Sequence, residues 1–228
     1  MGERGRHNCS EQYCGSIAVI GIAASATLLV VLLVSRPTLS ADLDLRVGDS
    51  WKYQHVDLWK GDVIGTSTRT VKKAGPTGGV VAVVDVDGAR FDEVIQGDGT
   101  IIRPMPPVPT GIGLFEYSYL KFPLVKGGEW STTSFGFNSL SAIVYRVDWT
   151  CKVEDEERVS TPAGQFDTFR VQCTGFWHDR TWMGNEDQTL WYAPAARWII
   201  KNRYLQRTSS MRIWHQWEST LVKFEADR

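Results

Sequence analysis

Gly48, Asp49 and Ser50 superficially form a serine nucleophile block, whose chemistry requires a base supplied by an Asp-x-x-His sequence near the C-terminus. None of His7, His55, His178 and His215 has an aspartate three positions before it, and no Gly-x-Ser-x-Gly elbow is present to lift a serine out of a strand. A strand-entry turn at Gly48 accounts for the triplet. His178, Asp179 and Arg180 could orient a general base, since an aspartate can hold one imidazole tautomer. Adjacent strand residues point to opposite faces, however, and Trp177 and Trp182 on either side favour a polar turn with aromatic packing.

Metal and nucleotide chemistry find no support. There is no His-Glu-x-x-His and no paired Cys-x-x-Cys, and the histidines of the body are far apart. Asp85, Asp87, Asp92 and Glu93 flank a hairpin turn without the alternating oxygens of a calcium loop, so they read as solvated turn residues. Glu154, Asp155, Glu156 and Glu157 read as a solvated strand end, with a calcium-sensitive or basic-partner patch as the alternative. Gly78-Gly79 and Gly127-Gly128 fit turns rather than phosphate loops. No catalytic residue, metal or cofactor is therefore expected.

The elements that carry these residues start from a chain of 228 residues, 43% hydrophobic and 22% charged, enough for one domain with a sizeable core. A formal net charge of -1 leaves no electrostatic footprint for nucleic acid, which is discounted as a partner. All ten Trp follow residue 50, either as large core side chains or as the lining of a cavity or contact surface.

Ile17 to Val34 carries no charge and as a helix spans roughly 27 Å, near the ~30 Å hydrocarbon core of a bilayer. Arg4 and Arg6 precede it, and Arg36, Asp42 and Asp44 follow, a weak bias toward a cytoplasmic N-terminus. The expected organisation is a cytoplasmic leader over 1–16, a transmembrane anchor or signal h-region over 17–34, a linker over 35–45 and a β-rich body over 46–228 outside the cytoplasm. A cleaved signal ending near Leu39-Ser40-Ala41, releasing a secreted body, is the alternative.

The body reads as all-β, a curved and largely antiparallel sheet or half-barrel. Tyr145, Val147, Trp149, Cys151 and Val153 alternate with polar neighbours, and Phe169, Val171 and Cys173 do the same beyond a turn at Thr161 to Gly164. A turn centred on Pro162 makes Cys151 and Cys173 equidistant from it and on one face, so a cross-strand disulfide is predicted. Cys9 and Cys14, in the leader, are expected to stay reduced. Further strands are predicted at Ser50 to Leu58, Gly79 to Val86, Ala89 to Ile95, Thr100 to Arg103, Gln188 to Tyr192, Arg197 to Leu205 and Met211 to Phe224, with Asp87-Gly88 and Asp98-Gly99 as hairpin turns. Pro104, Pro106, Pro107 and Pro109 require an extended surface loop.

Four stretches carry a family resemblance: Gly48, Trp51 and Tyr53; Phe122, Pro123, Leu124, Gly127 and Trp130; Thr161, Pro162, Ala163, Gly164 and Phe166; and Leu190, Trp191, Tyr192 and Pro194. In this order, over about residues 46 to 200, the chain resembles the TapB-like exported β-sheet domains of unknown function. The resemblance implies a strongly curved antiparallel sheet similar to that of the periplasmic lipoprotein carriers, and it carries over no catalytic residue.

The expected function is a noncatalytic envelope module for assembly or scaffolding. The alternatives are a carrier of a lipophilic ligand in an aromatic concavity, or a hydrolase. Tyr145, Trp149, Val153, Trp191, Trp214 and Trp217 are the candidate cavity or apolar-contact residues. The expected partners are the membrane, through residues 17–34, and an envelope protein or lipophilic ligand.

Overall fold

The computed structural model describes residues 40–104, 114–138, 143–179 and 181–226. The leader, the apolar run at 17–34, Cys9, Cys14 and most of the proline-rich loop lie outside the described residues. Fourteen strands follow in order: β1 (Ser40–Ala41), β2 (Ser50–Asp57), β3 (Val63–Gly75), β4 (Gly78–Val84), β5 (Arg90–Gln96), β6 (Ile101–Pro104) and β7 (Leu114–Tyr117). Then come β8 (Leu124–Val125), β9 (Glu129–Asn138), β10 (Ile143–Thr161), β11 (Gly164–His178), β12 (Met183–Ala193), β13 (Trp198–Thr208) and β14 (Ile213–Glu225).

Twelve of these strands make one antiparallel sheet in the order β7-β6-β5-β4-β3-β2-β14-β13-β12-β11-β10-β9. Nearly every neighbour in space is a neighbour in sequence, and the pairing of β14 with β2 joins the two ends of the meander. The expected half-barrel is thus extended to a nearly closed barrel. Among the described residues no ladder joins β7 to β9, and side chains bridge that seam instead. The Trp130 indole donates to the Ser118 carbonyl at 3.2 Å, and the Tyr119 ring stands edge-on to Trp149 at 5.2 Å.

Antiparallel pairing puts the turns after β3, β5, β10 and β12 at one end, and those after β2, β4, β11 and β13 at the other. The first end is closed. There β1 pairs with β8, Ala41, Leu120 and Leu124 are buried, and Leu43 and Leu45 pack on the apolar cluster that contains Trp51, Val71, Ile200 and Leu221. Residues 40–45, expected as the end of a linker, thus pack against the body. Arg197 fastens this strap through Asp49, at 2.6 and 2.8 Å, and Asp44, at 3.4 Å. The buried charge of Asp49 is tolerated because it faces the Arg197 guanidinium, while Asp44 stays exposed.

Cys151 and Cys173 are direct partners in the β10–β11 ladder and form the predicted disulfide, Cα to Cα 4.0 Å. The register differs from the expectation in one respect. The turn is centred between Pro162 and Ala163, since Thr161 pairs with Gly164. A bulge at Glu154 adds one residue to β10, and the two offsets cancel at the cysteines.

Candidate functional site

Strand parity assigns the side chains to the lumen. Odd positions point inward in β2, β5 and β11, in β3 up to Val71, in β10 up to the bulge at Glu154 and in β14 up to Leu221, and even positions in β9, β12 and β13, as the buried residues on paired strands show. Toward the closed end these positions hold Trp51, Val71, Ile95, Phe169, Leu190, Ile200 and Leu221, all buried. Toward the open end the same strands turn polar. His55, Ser67, Glu93, Ser134, Glu186, Gln188, Gln206 and Ser219 occupy the inward positions there, with Tyr145 and Tyr204 among them.

Glu186 is the centre of this layer. It is 2% exposed, and Gln206 Nε2 donates to its Oε1 at 2.7 Å. Burial lifts its carboxyl to a pKa of about 7, opposed by hydrogen bonds from the Tyr204 hydroxyl and Gln206. None of the ion pairs among the described residues includes it. Burial also raises the Tyr117, Tyr119, Tyr145 and Tyr204 hydroxyls, keeping four neutral phenols around this carboxyl. On the same face of β12, Gln188 is 4% exposed and donates from Nε2 to Asn202 Oδ1 at 3.1 Å, while its buried Oε1 has no partner. A buried acceptor left without a donor is costly, so this oxygen marks a place for a hydrogen-bond donor.

Two further inward pairs were not visible in the sequence. His55 Nε2 lies 2.7 Å from Ser67 Oγ, and burial lowers the imidazole pKa against the raising influence of Asp85, with Arg69 adding to the lowering. This is the contact between nucleophile and base that a serine hydrolase needs. Arg69 pairs with Glu93, which is buried rather than solvated as expected for the 85–93 acidic group. The others in that group fit the expectation: Asp85 and Asp87 accept backbone N–H bonds in the turn, and Asp92 pairs with Lys72 at 2.6 Å.

Glycines make room for the indoles that roof this layer. A Cβ on Gly175 would lie 2.7 Å from the Trp149 ring, and one on Gly184 would lie 2.7 Å from Trp177 Nε1 and 2.0 Å from the Arg207 carbonyl. Trp177 Nε1 donates to that carbonyl at 3.1 Å. At the mouth, Trp214 sits 5.7 Å from Trp177, and Trp217 stacks on Tyr204 at 5.4 Å. Beside them opens a pocket of about 400 Å³ lined by Asp57, Trp59, Lys60, Ile64 and residues Ile213 to Trp217. The rim is apolar and exposed, with Trp59 at 64% and Trp182 at 59% exposure, joined by Met183 and Met211.

Among the residues singled out from the sequence, Trp149 and Val153 are buried in the core, and Tyr145, Trp214 and Trp217 border the lumen or its mouth. Trp191 does not join them. It occupies the outer face of β12, where its indole donates to Glu157 Oε1 at 2.6 Å and Lys201 lies 5.3 Å over its ring. Its odd position in β12 dictates this, because Leu190 and Tyr192 take the inward places. Asp49 is consumed by Arg197, and the Ser50 hydroxyl meets that of Thr70 at 3.1 Å. Asp179 accepts from the N–H groups of Thr181 and Trp182, the polar turn expected there. Three of the four 154–157 carboxylates are paired: Asp155 with Lys126, and Glu154 and Glu157 with Arg170.

No family model and no curated protein matches the chain. Among solved structures it is similar to a protein assigned as a lipoprotein in Parabacteroides distasonis, with 15% identity, coverage of 79% of this chain and 96% of that one, and a TM-score of 0.48. An exported protein with a YmcC-like fold from Bacteroides fragilis gives 15%, 82%, 100% and 0.47 in the same order. The hypothetical lipoprotein YmcC from Escherichia coli gives 10%, 79%, 86% and 0.43. None of these names states an activity.

Proposed function

We propose that this protein is a noncatalytic binding barrel outside the cytoplasm that holds an amphipathic small molecule in the mouth half of its lumen. One observation carries the reading: a layer of buried polar groups, with an unpartnered acceptor on Gln188, lies behind an exposed aromatic rim. A barrel that needed only stability would continue its apolar filling to the mouth, since unpaired buried polar groups cost free energy. The resemblance to the TapB-like domains supports the same architecture. The uncharged run at 17–34, as anchor or cleaved signal, and the Cys151–Cys173 disulfide both favour an oxidising, extracytoplasmic location.

Native mass spectrometry of the full-length protein extracted from membranes tests this reading. The expected spectrum shows the chain with one small amphiphile that leaves on unfolding. A bare chain that takes up no added amphiphile overturns it. The exposed rim favours a second reading, assembly with another envelope chain, which the same spectrum would show as a co-extracted protein. The His55–Ser67 contact is the observation on the side of a hydrolase. Hydrolysis of p-nitrophenyl esters that disappears in Ser67→Ala, with folding retained, would replace the noncatalytic reading.

A further inference from the structure

The barrel interior offers acceptors where a ligand head group would sit. Glu186 and Gln188 are two residues apart on the inward face of β12, one carrying a carboxyl and the other a buried oxygen without a donor. The cations nearby are engaged elsewhere: Arg69 with Glu93, and Arg103 over the rings of Phe91 and Tyr117. Aromatic side chains stand near the carboxyl, and the Tyr204 hydroxyl donates to it. Tyr204 stacks with Trp217, and Tyr145 stands edge-on to Trp177 at 6.0 Å. A carboxyl that is desolvated, lacks a counter-ion and stands near aromatic side chains is complementary to a positive charge that brings its own N–H donors. An anionic head would be repelled by the Glu186 carboxylate once that group is ionised.

We propose that Glu186 and Gln188 form a head-group subsite selective for amphiphiles bearing a primary ammonium group. The ammonium donates to the Glu186 carboxylate and to Gln188 Oε1, and the alkyl chain runs toward the aromatic mouth at Trp177 and Trp214. This rests on the binding-barrel reading and deepens it. The elevated pKa of Glu186 agrees with a site whose natural counter-ion is absent from the chain itself.

Calorimetric titration of the full chain, held in amphipol against an empty-amphipol blank, separates the two ideas. The probes are dodecylamine, dodecanol and dodecanoate at about pH 8, which share one chain length and differ in the head. Dodecylamine should bind at least about tenfold tighter than dodecanoate, one charge-assisted hydrogen bond's worth, with dodecanol between. Glu186→Gln should bring dodecylamine within about twofold of dodecanol, because it removes the charge and keeps the shape. If that variant does not fold, the rank order of the wild-type protein still decides. Equal binding of all three, or tightest binding of dodecanoate, overturns the ammonium subsite and leaves the binding barrel standing. No binding of any probe overturns both.

Discussion

The closed end and the mouth of this barrel are made by the same strands, yet they obey opposite rules. Along β12 the inward positions run Tyr192, Leu190, Gln188, Glu186, from apolar to polar within four positions. Along β2 they run Trp51, Tyr53, His55, and along β14 Leu221, Ser219, Trp217, His215. At the closed end the inward side chains of Trp51, Ile95, Phe169, Tyr192 and Leu221 are buried among other apolar groups. At the mouth, polar groups are buried and several large apolar groups, among them Trp59, Trp182 and Met211, are exposed. The contrast teaches that stability and recognition are segregated along the barrel axis: local rules of burial hold where the fold is secured and are reversed where a ligand would bind.

The largest effect that would sharpen this contrast is at Trp51. It is 0% exposed, donates from Nε1 to the Ala196 carbonyl at 2.7 Å, and packs against Trp198 and Phe224. Trp51→Ala should cost about 4 kcal/mol in urea unfolding, from lost burial, the cavity and an orphaned carbonyl. A cost below about 1 kcal/mol would mean that the closed end is not where the fold is secured.

The same contrast explains what was legible in the sequence. The β10–β11 hairpin was plain because its inward residues are Val147, Trp149, Cys151, Val171 and Cys173, and alternation of apolar with polar marks a strand. β3 left no such trace, since its inward Ser67 and Arg69 alternate with Thr66, Thr68 and Thr70 and give no period. β9 hides in the same way behind Thr132 and Ser134, and β12 seemed to begin only at Gln188 because Gly184 and Glu186 precede it. The polar lumen thus concealed the strands that build it. The site was illegible for the physical reason that makes it a site: its polar groups come from separate strands and meet only when the sheet curls. Trp191 failed differently, as aromatic identity does not reveal which face of a strand it occupies.

A smaller effect is expected from Glu186, and its sign is informative. Its pKa is about 7 in the folded protein against an ordinary carboxyl value of 4.5, so the folded state binds the extra proton between these values. Stability from this group is therefore full below the unfolded value and is lost as pH rises through about 7. The loss is at most about 3 kcal/mol, the free energy equivalent of such a shift. The difference in urea midpoint between wild type and Glu186→Gln should fall across that window and flatten above it. A difference that is constant with pH would place the carboxyl in solvent and remove the contrast between the two ends at its centre.

The smallest effect belongs to the rim, where the comparison is most easily broken. Trp59 and Trp182 have exposures of 64% and 59%, so little of either ring leaves water on folding. Replacing each by Ser should change stability by less than about 0.5 kcal/mol, an order of magnitude below the effect at Trp51 although the residue type is the same. Their consequences for binding should differ. Trp59 lines the mouth pocket with Trp214 and Trp217, whereas the pocket wall does not include Trp182. Under the binding reading, Trp59→Ser weakens amphiphile uptake by a few fold, as expected for partial loss of one aromatic contact, and Trp182→Ser leaves it unchanged. Equal loss of a co-extracted partner chain in both variants would instead assign the rim to assembly, since an interface ring uses every exposed tryptophan regardless of which borders the pocket. A cost above about 2 kcal/mol for Trp182→Ser would show that the rim is packed structure, and the division between a securing end and a recognising end would fail there.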